Sequence, residues 1–254
     1  MSRALLLPIL VAFVAVPSNA LAALECLGVA PTIRGTKGAD VLMGTEGDDV
    51  IVGREGSDRV NGLGGNDVVC GDAGRDVLDG GSGDDMLGGG TQADIFVCNV
   101  GNDWVSYTER TGPVIAEIDR DTGDDGDPTT RGGRGEGDTI KISCENVIGG
   151  RGTDSMVGTD GPNAFRGGAG LDTFDGRGGA DEANGGGGQD FLRGEGGNDR
   201  LLGAGGKDDT LQGGPGRDLL IGGGGIRDQA DGQGGTDACD AETEESCEQD
   251  PPQA

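Results

Sequence analysis

Between Gly35 and Val97 an aspartate returns every nine residues, at Asp40, Asp49, Asp58, Asp67, Asp76, Asp85 and Asp94. A second series follows at Asp154, Asp172, Asp181, Asp190, Asp199, Asp209, Asp218, Asp228 and Asp237, with Asn163 holding the second position in it. Carboxylates are hard oxygen donors, the ligand type that Ca²⁺ prefers. A ladder of them at fixed pitch predicts a row of bound cations, since like charges so arranged repel unless something neutralises them. Asn163 offers only a neutral amide oxygen, which predicts a weakened site. The chain has no His, so zinc sites built on imidazole and the common nucleophile–His triads are excluded.

These aspartates need elements that repeat as they do. Written in nines, residues 35–97 read GTKGADVLM, GTEGDDVIV, GREGSDRVN, GLGGNDVVC, GDAGRDVLD, GGSGDDMLG, GGTQADIFV. Gly opens every unit and holds the fourth place in all but one, where Gln92 stands. Asp fills the sixth place and an apolar residue the eighth: Leu42, Ile51, Val60, Val69, Leu78, Leu87, Phe96. Gly at places one and four supplies positive φ and lets carbonyls turn toward a common point. Places seven to nine form a short strand with residue eight inward and its neighbours outward. Two units make one flattened coil, so loops on one edge stack about 4.8 Å apart and a cation between them can collect oxygens from both.

The rhythm resumes at Gly149 and runs to Asp240, with an inward ladder of Met156, Phe165, Phe174, Ala183, Leu192, Leu201, Leu211, Leu220, Ala230 and Cys239. Units 203–212 and 222–231 carry ten residues. The extra residue is expected in a loop, because a shift within a strand would exchange inside and outside. The expected fold is all-β: a parallel β-roll or β-helix solenoid of calcium-binding nonapeptides, in two arrays joined by a strand-and-loop insert. Only 3% of residues are aromatic, too few for an ordinary globular core but enough for the thin ladder of a solenoid. A net charge of −27 argues against nucleic acid and anionic membrane as partners and for cations.

With this phase, the chain resembles the RTX (repeats-in-toxin) calcium-binding β-roll proteins, over most of its length. The insert, with VSYTERTGPVIAEID followed by GEGD and ENVIGG, resembles those of secreted bacterial RTX-like proteins of unassigned role. The resemblance implies several Ca²⁺ ions and folding driven by them. Many RTX relatives join such repeats to a protease, lipase or sugar-epimerase domain; no such domain is recognisable here. Type I secretion, also raised by the resemblance, is opposed by the amino terminus.

Residues 1–22 read as a secretory signal peptide: Arg3, an apolar run from Ala4 to Val16, and Ala20-Leu21-Ala22 for cleavage. Glu25 fits a lipidation site at Cys26 poorly. No later apolar run could anchor the chain, so a secreted product is expected, soluble or at the cell surface. The expected organisation is a signal peptide over 1–22, a cap and first array over 23–97, an insert over 98–148, a second array over 149–240, and a cap and tail over 241–254. Residues 26–34 form the amino-terminal cap, with Ile33 at the apolar place and Pro31 where the Asp would stand.

Six Cys in an exported chain predict disulfides. Six allow fifteen pairings. Cys239 and Cys247 close a short loop, Cys98 and Cys144 flank the break in the repeats, and Cys26 is left for Cys70. Within the insert, WVSYTE, VIAEID and TIKIS alternate as strands and are expected to continue the sheets without calcium loops. The acidic run 119–138 resembles an EF-hand only loosely. Counted from Asp121, Gly123 and Gly132 stand at ligand positions three and twelve, so a solvated loop is expected over an ion site of its own.

Alternate units should share a sheet, which places Val50, Val52, Val68, Cys70 and Met86 on one outer face. So apolar a strip predicts either cover by the cap, held through Cys26–Cys70, or contact with a surface or self-association partner. The function expected is a calcium-binding β-roll of structural, cell-surface or adhesive role, and not an enzyme. The alternatives are a carbohydrate-active enzyme of β-helix type, for which Trp104 and Tyr107 offer few stacking platforms, or a partner-binding module using that strip. Thr36, Thr45, Thr91 and Thr159 form no regular row, which argues against an ice-binding face.

Overall fold

A computed structural model describes residues 26–118, 125–126 and 137–247. The signal-peptide segment and most of the acidic run therefore lie outside the described residues. The strands wind into a parallel solenoid with no helix among the described residues. One face is a single sheet of eleven strands that runs from Ile33–Arg34 to Ala238–Asp240. The opposite face is divided. A five-stranded sheet runs from Val41–Met43 through Ile95–Val100 to Thr139–Ile140, and a seven-stranded sheet from Ile115–Glu117 to Thr243–Glu245.

The nine-residue period sets the register. Two units return the chain to the same face, so Ile51 pairs with Val69 and Val69 with Leu87. The ten-residue units change this step but not the register: Leu192 pairs with Leu211 and Leu201 with Leu220. The extra residue lies in the loop, as a strand with one buried face requires. Every eighth-place side chain from Ile51 onward is buried, and Leu42 and Ile33 pack partly buried at the amino-terminal end. Phe165 and Phe174 stack at 5.8 Å between ring centroids, and the small Ala183 follows them along the ladder.

The insert proves more regular than its sequence. Cys98–Ser106 reads CNVGNDWVS and forms an eighth unit, whose strand Trp104–Ser106 pairs with Met86–Gly88 on one side and Asn146–Ile148 on the other. The long sheet therefore crosses the insert unbroken. On the other face, Ile115–Glu117 starts the seven-stranded sheet while the later Thr139–Ile140 ends the five-stranded one. Buried Asp125 ties the two together: its Oδ1 accepts the Glu117 N–H at 2.7 Å and its Oδ2 the Ile140 N–H at 3.0 Å. Asp125 and Asp138 are thus structural and desolvated, unlike the solvated loop expected for this run.

All three disulfides form as the spacing predicts: Cys26–Cys70, Cys98–Cys144 and Cys239–Cys247. The first lays the cap across the outer face of the long sheet. Val52 and Cys70 are buried there, and Leu27, Val50 and Val68 pack against them. The apolar strip is therefore covered in large part by the chain's own cap. Of the two outcomes expected for this strip, cover by the cap and contact with a partner, the first is the one the structure shows.

Candidate metal centres

The sixth-place residues gather into two columns, one along each edge of the solenoid, because successive units turn at opposite edges. In each column a carboxylate Oδ1 accepts the backbone N–H of the sixth-place residue one coil earlier. Asp49, Asp67 and Asp85 donate in this way to Asp67, Asp85 and Asp103, each at 2.8 Å. Asp40, Asp58 and Asp76 donate to Asp58, Asp76 and Asp94 along the other edge. The same rungs join Asp154, Asp172, Asp190, Asp209 and Asp228, and also Asn163, Asp181, Asp199, Asp218 and Asp237.

The second oxygen differs. In fourteen aspartates Oδ2 is buried and has no hydrogen-bond partner: six from Asp58 to Asp103 and eight from Asp172 to Asp237. An unpaired buried polar atom costs about 1–3 kcal/mol, more if charged, so fourteen of them call for a partner of another kind. The surroundings supply a cradle. A Cβ on Gly62 would collide with Asp67 Oδ2 and with the Gly80 carbonyl one coil on, and a Cβ on Gly176 would meet Asp181 Oδ2 and the Gly194 carbonyl in the same way. In these two loops the space is walled by a carboxylate and a main-chain carbonyl, a hard, all-oxygen donor set that fits Ca²⁺. Among the described residues no three acidic, His or Cys side chains converge to hold a metal, so the backbone must supply much of any coordination.

Four predicted residues are arranged otherwise. Oδ2 of Asp40 and of Asp49 accepts both N–H and Oγ1–H from Thr36 and Thr45 respectively. Asp154 Oδ2 accepts the Gly150 N–H at 2.5 Å. Asn163 Oδ1 accepts the Thr159 N–H and its Nδ2 donates to the Glu145 carbonyl. Each satisfies itself from within the protein.

Electrostatics mark several of the unpartnered carboxylates, though not these alone, since burial raises Asp154 too. Burial, aided by like charges along the column, pushes the Asp94 carboxyl up to about 8, Asp172 and Asp181 up to about 7, and Asp76, Asp85, Asp103, Asp190 and Asp218 up to about 6. Asp49, held by the Thr45 backbone and hydroxyl, is instead lowered. A column of carboxylates that resists ionisation in the bare protein is one that gains from a bound cation.

The sequence reading missed Asp103. Its signal was present, since NVGNDWV repeats the Gly, Asp and apolar places of LGGNDVV, but Cys98 had replaced the opening Gly. It also missed three acids that continue the columns: Asp138 Oδ1 takes the Asp94 N–H, Glu145 Oε2 that of Asp103, and Glu242 Oε2 that of Asp228. No spacing in the sequence marks these, because the insert and the cap break the period.

Parallel coils with aspartate-bearing turns at both edges define a β-roll. A family model of the RTX calcium-binding nonapeptide repeat matches residues 34–69, 71–96, 148–183, 175–208 and 204–225. These segments cover more than half of the chain, and the protein belongs to the RTX calcium-binding repeat family. No curated protein matches it.

Proposed function

We propose that this protein is an exported, calcium-assembled rod whose role is structural, at or beyond the cell surface, and not catalytic. The observation that carries this reading is the set of fourteen buried carboxylate oxygens without partners, stacked in columns. Calcium ions would be held by those aspartates and adjoining carbonyls, and would supply the positive charge that a chain of net charge −27 lacks. The protein's part is to fix the oxygens: the rungs orient each carboxylate, and the first-place glycines keep the space beside it clear. Binding free energy then becomes folding free energy, because the sites exist only when coils stack.

Export is supported by the signal-like residues 1–22 and by three disulfides, which persist in oxidising compartments. No helix among the described residues is long and apolar enough to cross a membrane. A partner on the apolar strip is a weaker reading, because the cap already covers Val52 and Cys70. The test is far-ultraviolet circular dichroism of the disulfide-intact chain during calcium titration. The expected result is a largely disordered chain in chelator that gains β-structure at millimolar calcium. Equal β-structure in both conditions would refute the calcium-assembled rod.

A further inference from the structure

We propose that a repeat unit of this chain takes a cation only where its second residue turns left-handed. The sites are then the fourteen aspartates with open loops, including Asp103 in the insert, and exclude Asp40, Asp49, Asp154 and Asn163. This rests on the calcium-binding reading above and adds a rule for which loops serve.

Two features coincide. In each of the fourteen units with an unpartnered Oδ2, the second residue has positive φ. Arg54, Leu63 and Asp72 lie at 86°, 79° and 69° in the units of Asp58, Asp67 and Asp76. Gly214, Gly223 and Gln233 lie at 112°, 96° and 64° in those of Asp218, Asp228 and Asp237. Thr36, Thr45, Gly150 and Thr159, which hold the second place in the other four units, are absent from the positive-φ residues. Their N–H groups point at the sixth-place oxygen, at 2.6, 2.7, 2.5 and 2.7 Å. The geometric reason is direct: turning φ positive rotates the peptide plane before residue two, so its N–H leaves the carboxylate and Oδ2 is left open.

Residue type explains three of the four closed loops. A β-branched residue at positive φ is a genuine outlier, so Thr at place two keeps the loop closed, and its hydroxyl adds a second donor to the same oxygen. Gly150 lies against the carbonyls of Arg110 and Tyr107 from the insert. Three of the closed loops also stand where a column begins, whereas Asn163 follows the Glu145 coil within the unbroken long sheet. Asp40 and Asp49 belong to the first full coil, and Asp49 Oδ1 is capped by the Thr32 hydroxyl instead of an earlier loop. Asp154 Oδ1 is met by the Val114 N–H, in the non-repetitive coil of the insert. The closed loops of Asp40, Asp49 and Asp154 are thus ion-free ends on which the columns are built, and Asn163 is closed by its Thr159 alone.

Asp103 shows the rule working outside the recognisable repeats. Asn99, second in its unit, has φ 71°. Asp103 is fully buried, its Oδ1 takes the Asp85 N–H, and its Oδ2 has no partner. It lies outside the segments that match the repeat family.

The test is calcium stoichiometry of the full, disulfide-intact chain by native mass spectrometry and equilibrium dialysis, for wild type, Asp49→Asn, Asp103→Asn and Asp237→Asn. Circular dichroism at saturating calcium checks that each has folded, and Asp237→Asn, near the end of a column, stands in if the insert variant does not fold. The expected result is no ion lost in Asp49→Asn and at least one lost in Asp103→Asn and in Asp237→Asn. Loss of an ion in Asp49→Asn, or an unchanged count in Asp103→Asn or Asp237→Asn, would overturn the rule while leaving calcium binding intact. A wild type that holds no calcium would overturn the calcium reading itself.

Discussion

Replacing Asp172 by Asn should change the sign of its effect when calcium is removed. Asp172 Oδ1 accepts the Asp154 N–H at 2.8 Å, a bond that an amide oxygen can keep. Its Oδ2 is buried without a partner, beside the Gly185 carbonyl across the cradle of Gly167. Burial, then the charges of Asp154 and Asp190, push this carboxyl up to about 7 from an ordinary 3.8. Above pH 8 the full shift corresponds to about 4 kcal/mol against the ion-free fold. Solvent at the loop edge screens part of this, and roughly half is the usable figure. Asp172→Asn should therefore stabilise the ion-free coil by about 2 kcal/mol. With free calcium at about a hundred times the site's Kd, the same change forfeits about 2.7 kcal/mol of linkage, and each further tenfold of calcium widens the loss by about 1.4 kcal/mol. The assay has two arms: urea unfolding at two calcium concentrations, and folding of the chelated chain driven by TMAO, which favours compact states. An effect of one sign in both arms, or a loss independent of calcium concentration, would refute the assignment of this carboxylate to a cation.

Proton and calcium should be interchangeable in part. The raised carboxyls bind more protons folded than unfolded, so the ion-free fold begins to gain stability as pH falls through about 8 to 6, goes on gaining down to 3.8 and keeps it below; circular dichroism in chelator should show β-structure rising on acidification, and no change between pH 8 and 5 would contradict this. Asp67→Ala should raise the calcium midpoint more than Asp237→Ala, since each strands one N–H, of Asp49 and of Asp218, but only the first uncouples repeat coils on both sides; equal shifts would count against nearest-neighbour stacking. Leu87→Ala, at a fully buried rung of the ladder, should cost about 3–5 kcal/mol in saturating calcium, read from urea midpoints. Cys26→Ser with Cys70→Ser should release the cap and expose Val52, seen as dye binding or self-association at fixed calcium; an unchanged surface would mean the cap holds without its disulfide.

Much of this protein is legible in its residues because a nine-residue period is both the chemical and the geometric unit. Asp67 and Val69 declare a ligand and a core position from spacing alone, and two units per coil then dictate the parallel sheets. Period also located the tolerant place for the extra residues of 203–212 and 222–231, in loops. What only the tertiary structure decided are contacts between segments far apart in sequence. Asp125 joining Glu117 to Ile140, Glu145 and Glu242 completing columns, and the cap lying over Val52 have no periodic signature. The difference between an open and a closed loop is of the same kind. It depends on which coil lies beneath an aspartate and on one backbone angle at the second residue. A sixth-place Asp names the donor, but whether its oxygen is free is settled only when the coils stack.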